Sequence, residues 1–453
     1  MRQKIRYFLL LVALMLSMGV SAQTTKWRDI YTVKKKDTVF GIANKYGLTL
    51  PELMDANPEM KKEGYTLQKG ATLFIPFEKN HAKGQTAAQK STTQSTAAVK
   101  KVANTVNVGV MLPLHDVDGD GKRMVEYYRG ILMACEKLKQ QGISTNIHAW
   151  NVPIDADIRT TLVKDGASSC DLIFGPLYSK QVAPLAEFCK TYGIKMVIPF
   201  SITGDDVDRN KEIFQVYQSP ETLNDAAIKA FLSRFKNVHP IFVDCNDSTS
   251  RKGNFTFGLR KELEKRNINY SITNVNSSLD YFAKAFVPSK QNVVILNTGR
   301  SPQLTQVLNK LDEFDAKYPG ADISLFGYTE WLMYAKYNLD RFYKYDTYIP
   351  STFYYNATSA STIDLERRYN LWFHQPMQIA MPRFAITGYD HAMYFIQGMK
   401  KAGKEFTGAK NQVNYQPLQT PLRFVKTAKG GYRNEVLQLI HYTFNRQIEA
   451  VNY

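Results

Sequence analysis

The sequence predicts an α/β protein of two folding units: a small strand–helix–helix–strand module and a much larger α/β domain. Apolar residues at strand and helix spacing occupy residues 30–77, and short apolar strands alternate with long helices from Val106 onward. Between them, residues 78–104 carry almost no large apolar side chains. Because 453 residues exceed the usual size of one domain, we expect each unit to have its own core.

The first 22 residues have the pattern of a secretory signal peptide. Basic residues precede an apolar run at 7–16, and small residues follow as far as Ala22. That run is too short to span a bilayer, so we expect cleavage before Gln23 and an exported chain in the periplasm or cell envelope that does not span the membrane. No cysteine follows the predicted cleavage point to carry a lipid anchor, and retention would then depend on binding.

The formal net charge of +17 favours anionic surroundings. For an exported chain these are wall polymers or lipid headgroups more readily than nucleic acid, although a generally basic, solvated surface is the alternative interpretation. Four cysteines are present without CxxC spacing, which disfavours a structural zinc site. Cys170 and Cys189 could pair in an oxidising compartment, but free buried thiols are the preferred interpretation.

The small module begins with a strand at Tyr31 and Val33, followed by a helix that Asp37 or Thr38 can cap and that Gly47 ends. The sequence from Thr49 to Glu52 predicts a capping box at the start of a second helix. The returning strand is predicted from its apolar residues. These are Tyr65, Leu67, Leu73, Ile75 and Pro76.

The stretches YTVKKKDTVFGIANKYGLTLPELMDANP and LQKGATLFIPF resemble a LysM domain along its whole length, although Lys36 stands where family members usually have glycine. The resemblance implies binding of N-acetylglucosamine-containing glycans, and hence of peptidoglycan, in a shallow groove between two loops. The positions that it implies for the groove are Asp37, Thr38, Val39, Asn57, Pro58 and Leu67. The alternative interpretation assigns Asp37 or Thr38 only to helix capping and Asn57 only to a turn.

Residues 78–104 are rich in Lys, Thr, Ser, Gln and Ala, which predicts a flexible linker. In the large domain beyond it, six strands are predicted, with helices between them. The predicted strands are 106–113, 171–175, 194–200, 240–244, 292–296 and 323–327. The first helix is predicted from an apolar stripe of Tyr128, Ile131, Leu132, Cys135 and Leu138.

The large domain, residues 105–453, resembles type I periplasmic binding proteins, including amino-acid receptors of ABC transporters. The segments that carry the resemblance are VNVGVMLPL, RGILMACEKL, FGPLYS, IKMVIPFS and TGYDHAMYF. It implies two α/β lobes with a ligand cleft at the carboxyl ends of the strands. The cleft positions that it implies are Tyr178, Ser179, Ser201, Thr203, Tyr328 and Glu330, and Tyr389-Asp390 is a further candidate that could instead cap a helix.

The stretch GPLYSKQVAPLAEFCKTYGIKMVIPFS also resembles the binding-protein-like domain of lipoprotein activators of penicillin-binding proteins. Since fold alone does not decide function, three hypotheses follow. The leading one is a non-catalytic, peptidoglycan-bound protein whose large domain engages a wall fragment, a small solute or an envelope protein. The alternatives are an ABC-transporter receptor with an amino-acid-like ligand and, third, a regulator of penicillin-binding proteins or a wall hydrolase.

No catalytic or cofactor motif is found in the sequence, and no metal site is predicted. The DxDxDG pattern from Asp116 lacks the acid that a calcium loop needs at its twelfth position, where Tyr127 stands, and this predicts a polar turn. His374, His391 and His441 are separated singles with no shared ligand spacing. No G-x-S-x-G or HExxH motif occurs, so we predict that the protein is not an enzyme.

Overall fold

The computed structural model describes residues 27–35, 37–61, 65–76, 105–200 and 204–453. The predicted signal peptide and linker lie outside these residues. The chain divides into two compact units, one containing the small N-terminal fold and the other containing most of the chain from residue 105 onward. Each unit is described by itself.

The small unit has the predicted order of strand, helix, helix, strand. Its elements are β1 (Trp27–Thr32), α1 (Val39–Lys45), α2 (Leu50–Ala56) and β2 (Thr72–Pro76). The two strands pair antiparallel. The predicted strand residues Tyr65 and Leu67 precede β2 instead of lying in it, and of the predicted apolar positions Leu73 and Ile75 point into the core.

The two short helices begin at the predicted capping residues, and the first of them ends just before the predicted glycine. Thr38, not Asp37, is the N-cap of α1, and Gly47 adopts the left-handed conformation just beyond its end. At α2, the Thr49 hydroxyl and the Glu52 carboxylate form the reciprocal capping box. Because isolated helices of seven residues are unstable in water, these caps and the buried apolar face together hold them.

The large unit begins with a lobe built on a seven-stranded sheet of the described residues, in the order β13-β14-β7-β6-β5-β3-β4. The strands are β3 (Thr105–Leu112), β4 (Ser144–Asn151), β5 (Leu172–Phe174), β6 (Lys195–Ile198), β7 (Ile213–Gln215), β13 (Phe424–Lys426) and β14 (Tyr432–Asn434). Its helices are α3 (Gly119–Gln140), α4 (Arg159–Leu162), α5 (Val182–Tyr192), α6 (Asp206–Arg209) and α13 (Phe384–Ala402). All neighbouring strands are parallel except β13 and β14.

The second lobe is built on another sheet in which the described residues supply seven strands, in the order β16-β15-β12-β11-β10-β8-β9. The strands are β8 (His239–Asp244), β9 (Ser271–Asn274), β10 (Asn292–Leu296), β11 (Ile323–Phe326), β12 (Thr347–Ser351), β15 (Gln438–Tyr442) and β16 (Ile448–Asn452). Its helices are α7 (Pro220–Arg234), α8 (Gly253–Lys265), α9 (Leu279–Ala283), α10 (Ser301–Lys317) and α11 (Ala335–Lys344). Here β15 and β16 are the antiparallel strands.

Within the described residues, the chain passes between the lobes at 216–219, 352–383 and 435–437, and the middle passage includes α12 (Ala360–Phe373). Each lobe has its own buried apolar cluster. The fold is therefore the predicted two-lobed α/β arrangement, with strands beyond the six that were predicted. The carboxyl ends of the parallel strands form one edge of each sheet, where ligands of such sheets bind.

In the first lobe, α3 and α13 cross at very close range because glycines lie at the contact. A Cβ on Gly130 would lie 1.9 Å from the Ala385 carbonyl oxygen, and one on Gly388 would lie 2.0 Å from that of Tyr127. The Tyr127 hydroxyl and His391 Nδ1 are 2.9 Å apart across the same contact. This crossing fixes the helix that follows the middle passage between the lobes.

Candidate binding sites

The first loop of the small unit leads into α1 and contains two of the predicted glycan-binding residues. Asp37 accepts hydrogen bonds from the Tyr31 hydroxyl at 2.8 Å and from the Lys34 backbone N–H at 2.7 Å. These two bonds, the backbone one foremost, lower the pKa of Asp37. Thr38 is exposed, and its hydroxyl oxygen accepts from the Gly41 N–H at 3.0 Å, which leaves the hydroxyl proton able to point outward.

The second loop follows α2, and the two predicted glycan-binding residues in it differ in exposure. Pro58 is exposed and begins a short 3₁₀ turn, whereas Asn57 is fully buried. The Asn57 amide bonds the Leu53 carbonyl and both backbone groups of Phe74 in β2, each at 2.8 Å. The Asn57 side chain therefore joins the loop to the sheet.

The remaining two positions of the predicted groove differ in exposure. Val39 is buried in the core of the small unit, whereas Leu67 is half-buried. The side chains that the small unit presents to a glycan from the predicted set are thus Asp37, Thr38, Pro58 and Leu67.

In the first lobe, the predicted cleft residues Tyr178 and Ser179 follow β5. The Tyr178 hydroxyl donates to Asp120 at 3.2 Å, and burial, followed by the charge of Asp120, raises the Tyr178 pKa to about 12. Ser179 is exposed at the start of a 3₁₀ turn that leads into α5. Ser201 and Thr203 lie outside the described residues.

Aromatic side chains occupy the ends of the next strands of this lobe. Phe200 stacks on Tyr217 at a centroid distance of 5.7 Å, and it contacts Phe384 at 5.6 Å and Tyr127 at 5.5 Å. Tyr217 lies within the passage at 216–219, and Phe384 directly follows the passage at 352–383. A cluster of bulky rings of the first lobe therefore lies next to two of the passages between the lobes.

In the second lobe, Tyr328 and Glu330 follow β11 as predicted, but both already have partners. Tyr328 is buried, and its hydroxyl donates to the Leu296 carbonyl. Glu330 forms an ion pair with Lys252 at 2.6 Å. Glu330 thus joins two strand-end loops, and its charge is already balanced by a lysine.

A polar network that the sequence reasoning missed follows β8 and β10. Asp247 accepts from the Thr249 and Thr298 hydroxyls, each at 2.7 Å, and these two bonds hold the pKa of Asp247 at about 2. Asn297 donates to Asp244, and Asp247, Asn297 and Asp244 all line a small cavity of about 320 Å³. The sequence contained a signal for this network, because polar residues follow the predicted strands 240–244 and 292–296 within one to three positions.

Tyr389-Asp390, the further candidate, neither caps a helix nor faces a cleft, which corrects that interpretation. Asp390 is fully buried inside α13. It accepts hydrogen bonds from the Tyr415 hydroxyl and from three successive backbone N–H groups at 418–420, all between 2.7 and 2.9 Å. Asp390 therefore holds the 415–420 segment against the helix.

One cluster contains the residue types of a catalytic triad in an order that does not suit catalysis. His441 Nε2 lies 2.6 Å from Asp346, and the hydroxyl of the buried Ser324 donates to the same carboxylate at 3.1 Å. In a triad the histidine lies between serine and aspartate and takes the serine proton. Here Asp346 lies in the middle, and the Ser324 hydroxyl donates its hydrogen bond to a carboxylate instead of to the histidine. The cluster therefore links residues of neighbouring strands and supports the sheet.

Other candidate ligands are dispersed through the described chain. Its histidines, cysteines and acids form no group of three or more that could hold a metal ion. Asp118 in the DxDxDG stretch caps α3 through the Gly121 N–H at 2.7 Å. The four cysteines are buried and unpaired with one another.

None of the helices in the described residues combines the length and the apolar character required to cross a membrane.

Comparison with known proteins supports both parts of the architecture. Residues 31–76 match the LysM domain family. A protein assigned to a branched-chain amino acid ABC transporter of Rhodospirillum rubrum is similar in structure, with a TM-score of 0.53 and 14% identity over 77% of this chain and 100% of the other. Residues 31–76 therefore form a LysM domain, and the large unit has the fold of two-lobed type I periplasmic binding proteins.

Two further solved structures are similar at lower scores. An ABC transporter substrate-binding protein from Desulfitobacterium hafniense is 15% identical with a TM-score of 0.43, over 77% of this chain and 100% of the other. A branched-chain amino acid ABC transporter periplasmic ligand-binding protein from Burkholderia xenovorans is 15% identical with a TM-score of 0.46, over 76% and 94%. No curated protein sequence matches this chain.

Proposed function

We propose that this protein is an exported, non-catalytic binding protein of the cell envelope that is held on peptidoglycan by its LysM domain. The observation that carries the proposal is the LysM match over residues 31–76, together with exposed Thr38 and Pro58 in the two loops that would form the groove. An acetamido sugar needs hydrogen-bonding groups and a modest apolar surface, and these loops offer both.

In this proposal the large domain is the part that engages a ligand or partner near the wall. A weak glycan contact is sufficient for this purpose, because attachment to the wall raises the effective concentration of the large domain near targets that are also at the wall. The support for a binding role of the large domain is an analogy of fold with periplasmic binding proteins, and this analogy does not identify the ligand.

The second candidate is a receptor for an amino-acid-like solute. The fold favours this candidate, because the similar solved structure from Rhodospirillum rubrum is assigned to a branched-chain amino acid transporter. One local observation favours a different ligand. Glu330 is one of the cleft positions that the resemblance implies, and its charge is already balanced by Lys252 instead of being left for the ammonium group of an amino acid.

Thr38→Val should weaken binding of tetra-N-acetylglucosamine to the full chain by about tenfold, because it removes a hydroxyl proton donor from the groove. Thr38→Ser keeps both the hydroxyl and the helix cap, and it should bind within about twofold of the unchanged chain. The measurement is calorimetric titration of each protein with the same oligosaccharide.

Thr49→Val is the matched control, because it removes the equivalent cap from α2 without touching the proposed groove. Equal weakening by Thr38→Val and Thr49→Val would assign the effect to helix fraying and remove Thr38 from the site. If the unchanged chain does not bind the oligosaccharide at all, the proposed glycan function is wrong.

A further inference from the structure

A largely apolar cavity of the second lobe lies beside the antiparallel strands. It is an open groove of about 790 Å³. Its walls are α11, the strands β15 and β16, and the passage segments 354–358 and 379–383. This volume lies within the range of ligand pockets, and the groove is distinct from the strand-end positions predicted for the cleft.

The surface in and around the groove is unusually apolar for an exposed region. Ile379 is 96% exposed on one rim, and Met333 and Met381 are also exposed. Leu339 and Tyr343 continue the apolar surface along α11. Contiguous exposed apolar residues of this kind mark interaction sites.

The charged residues that line the groove, within the described chain, are all cations: Lys336, Arg383 and Arg446. Arg383 is held in place over the Tyr355 ring at 4.9 Å while it donates to the Gln378 carbonyl. Arg446 lies over the Tyr343 ring and pairs with the exposed Asp340 outside the groove. The groove therefore combines an apolar floor with positive charge held at its edges.

These properties are complementary to an occupant that has both apolar side chains and carboxylates. Residues 77–104 of this chain do not fit, because they contain five lysines, one glutamate and few large apolar side chains. A second copy of the chain would bring together two strongly basic proteins, each of formal charge 17 − 3 = +14 once Arg2, Lys4 and Arg6 are removed with the predicted signal peptide, and this opposes association.

We propose that the groove binds an extended, acidic peptide segment with apolar side chains, contributed by a partner protein. Apolar side chains of the segment cover Leu339, Tyr343 and Ile379, while its carboxylates meet Lys336 and Arg383. An extended peptide also covers the exposed rim, which a small enclosed ligand leaves in water. Solution binding of this segment does not require attachment to the wall, so the inference stands apart from the proposed glycan function.

The test is selection from a mass-encoded pool of random hexapeptides, incubated with the full chain and separated by size before mass spectrometry. Retained peptides should be enriched in Asp or Glu together with Leu, Ile, Phe or Met. The variant Lys336→Glu/Ile379→Glu, which alters two exposed residues, should lower the affinity of individually resynthesised peptides by at least tenfold.

The matched control is Lys229→Glu/Phe257→Glu, which also replaces one exposed lysine and one exposed apolar residue by glutamate, here on α7 and α8. It should bind the peptides as the unchanged chain does. The inference is overturned if no peptides are retained, if the retained peptides lack carboxylates, or if both variants behave alike. The full chain could also dimerise, and Lys336→Glu/Ile379→Glu could abolish this dimer. That result would identify a second copy of the chain as the occupant of the groove, and it would also overturn the inference.

Discussion

Gly388→Ala is expected to lower the free energy of unfolding by about 3 kcal/mol. The new Cβ would lie 2.0 Å from the Tyr127 carbonyl oxygen, so α3 and α13 must move apart. Because the two helices are packed around paired glycines, this movement also loosens the contact between Tyr127 and His391. Denaturant unfolding of the full chain, followed by circular dichroism, measures the effect.

Gly253→Ala is the control for adding a methyl group to a helix of this chain. Nothing lies within 4 Å of the position that its Cβ would occupy at the start of α8. The substitution should therefore leave stability unchanged or raise it by roughly 0.5–1 kcal/mol, since alanine favours the helix over glycine. A Gly388→Ala protein as stable as the unchanged chain would contradict the close crossing of α3 and α13.

Asp390→Asn should destabilise the protein at neutral pH by about 3 kcal/mol. The buried carboxylate accepts from Tyr415 and from three consecutive backbone N–H groups, and an amide offers only one acceptor oxygen to these four donors. The 418–420 backbone would lose its attachment to α13. The measurement is denaturant unfolding combined with hydrogen exchange of the 415–420 amides.

Loosening of the 418–420 backbone in Asp390→Asn should also disturb the groove of the second lobe, because Gln419 bonds residues that line it. Its side chain bonds both backbone groups of Arg383, and its carbonyl accepts from the Tyr354 N–H. Asp225→Asn, at an exposed position of α7, is the control and should change stability by less than about 0.5 kcal/mol. Unchanged exchange at 415–420 in Asp390→Asn would refute the role of Asp390 as the anchor of this segment.

Features with local causes could be predicted from the sequence. The capping box at Thr49 and the helix stop at Gly47 each depend on residues within one helical turn. The six predicted strands of the large domain correspond to observed strands because they are short apolar runs, buried on both faces. β4 was missed because it is an edge strand, and its sequence STNIHAWN lacks such a run.

Features that depend on distant partners could not be predicted. From the sequence, Asp390 is a possible helix cap. In the structure its partners belong to a segment 25–30 residues later, which the local sequence does not reveal. Asn57 matches a groove position by resemblance, yet its amide bonds Phe74, 17 residues away. Glu330 was predicted at the correct strand end, but its pairing with Lys252 depends on how two non-consecutive loops meet.

Sedimentation with purified peptidoglycan tests the central claim, attachment to the wall through LysM, most directly. The exported chain should co-sediment, and a chain lacking residues 24–77 should remain in solution while retaining the thermal transition of the large domain. Repeating the assay at high salt separates glycan recognition from adhesion of a basic protein, because exposed charges are screened there. Equal sedimentation with and without residues 24–77 would contradict the account and move wall recognition to the rest of the chain.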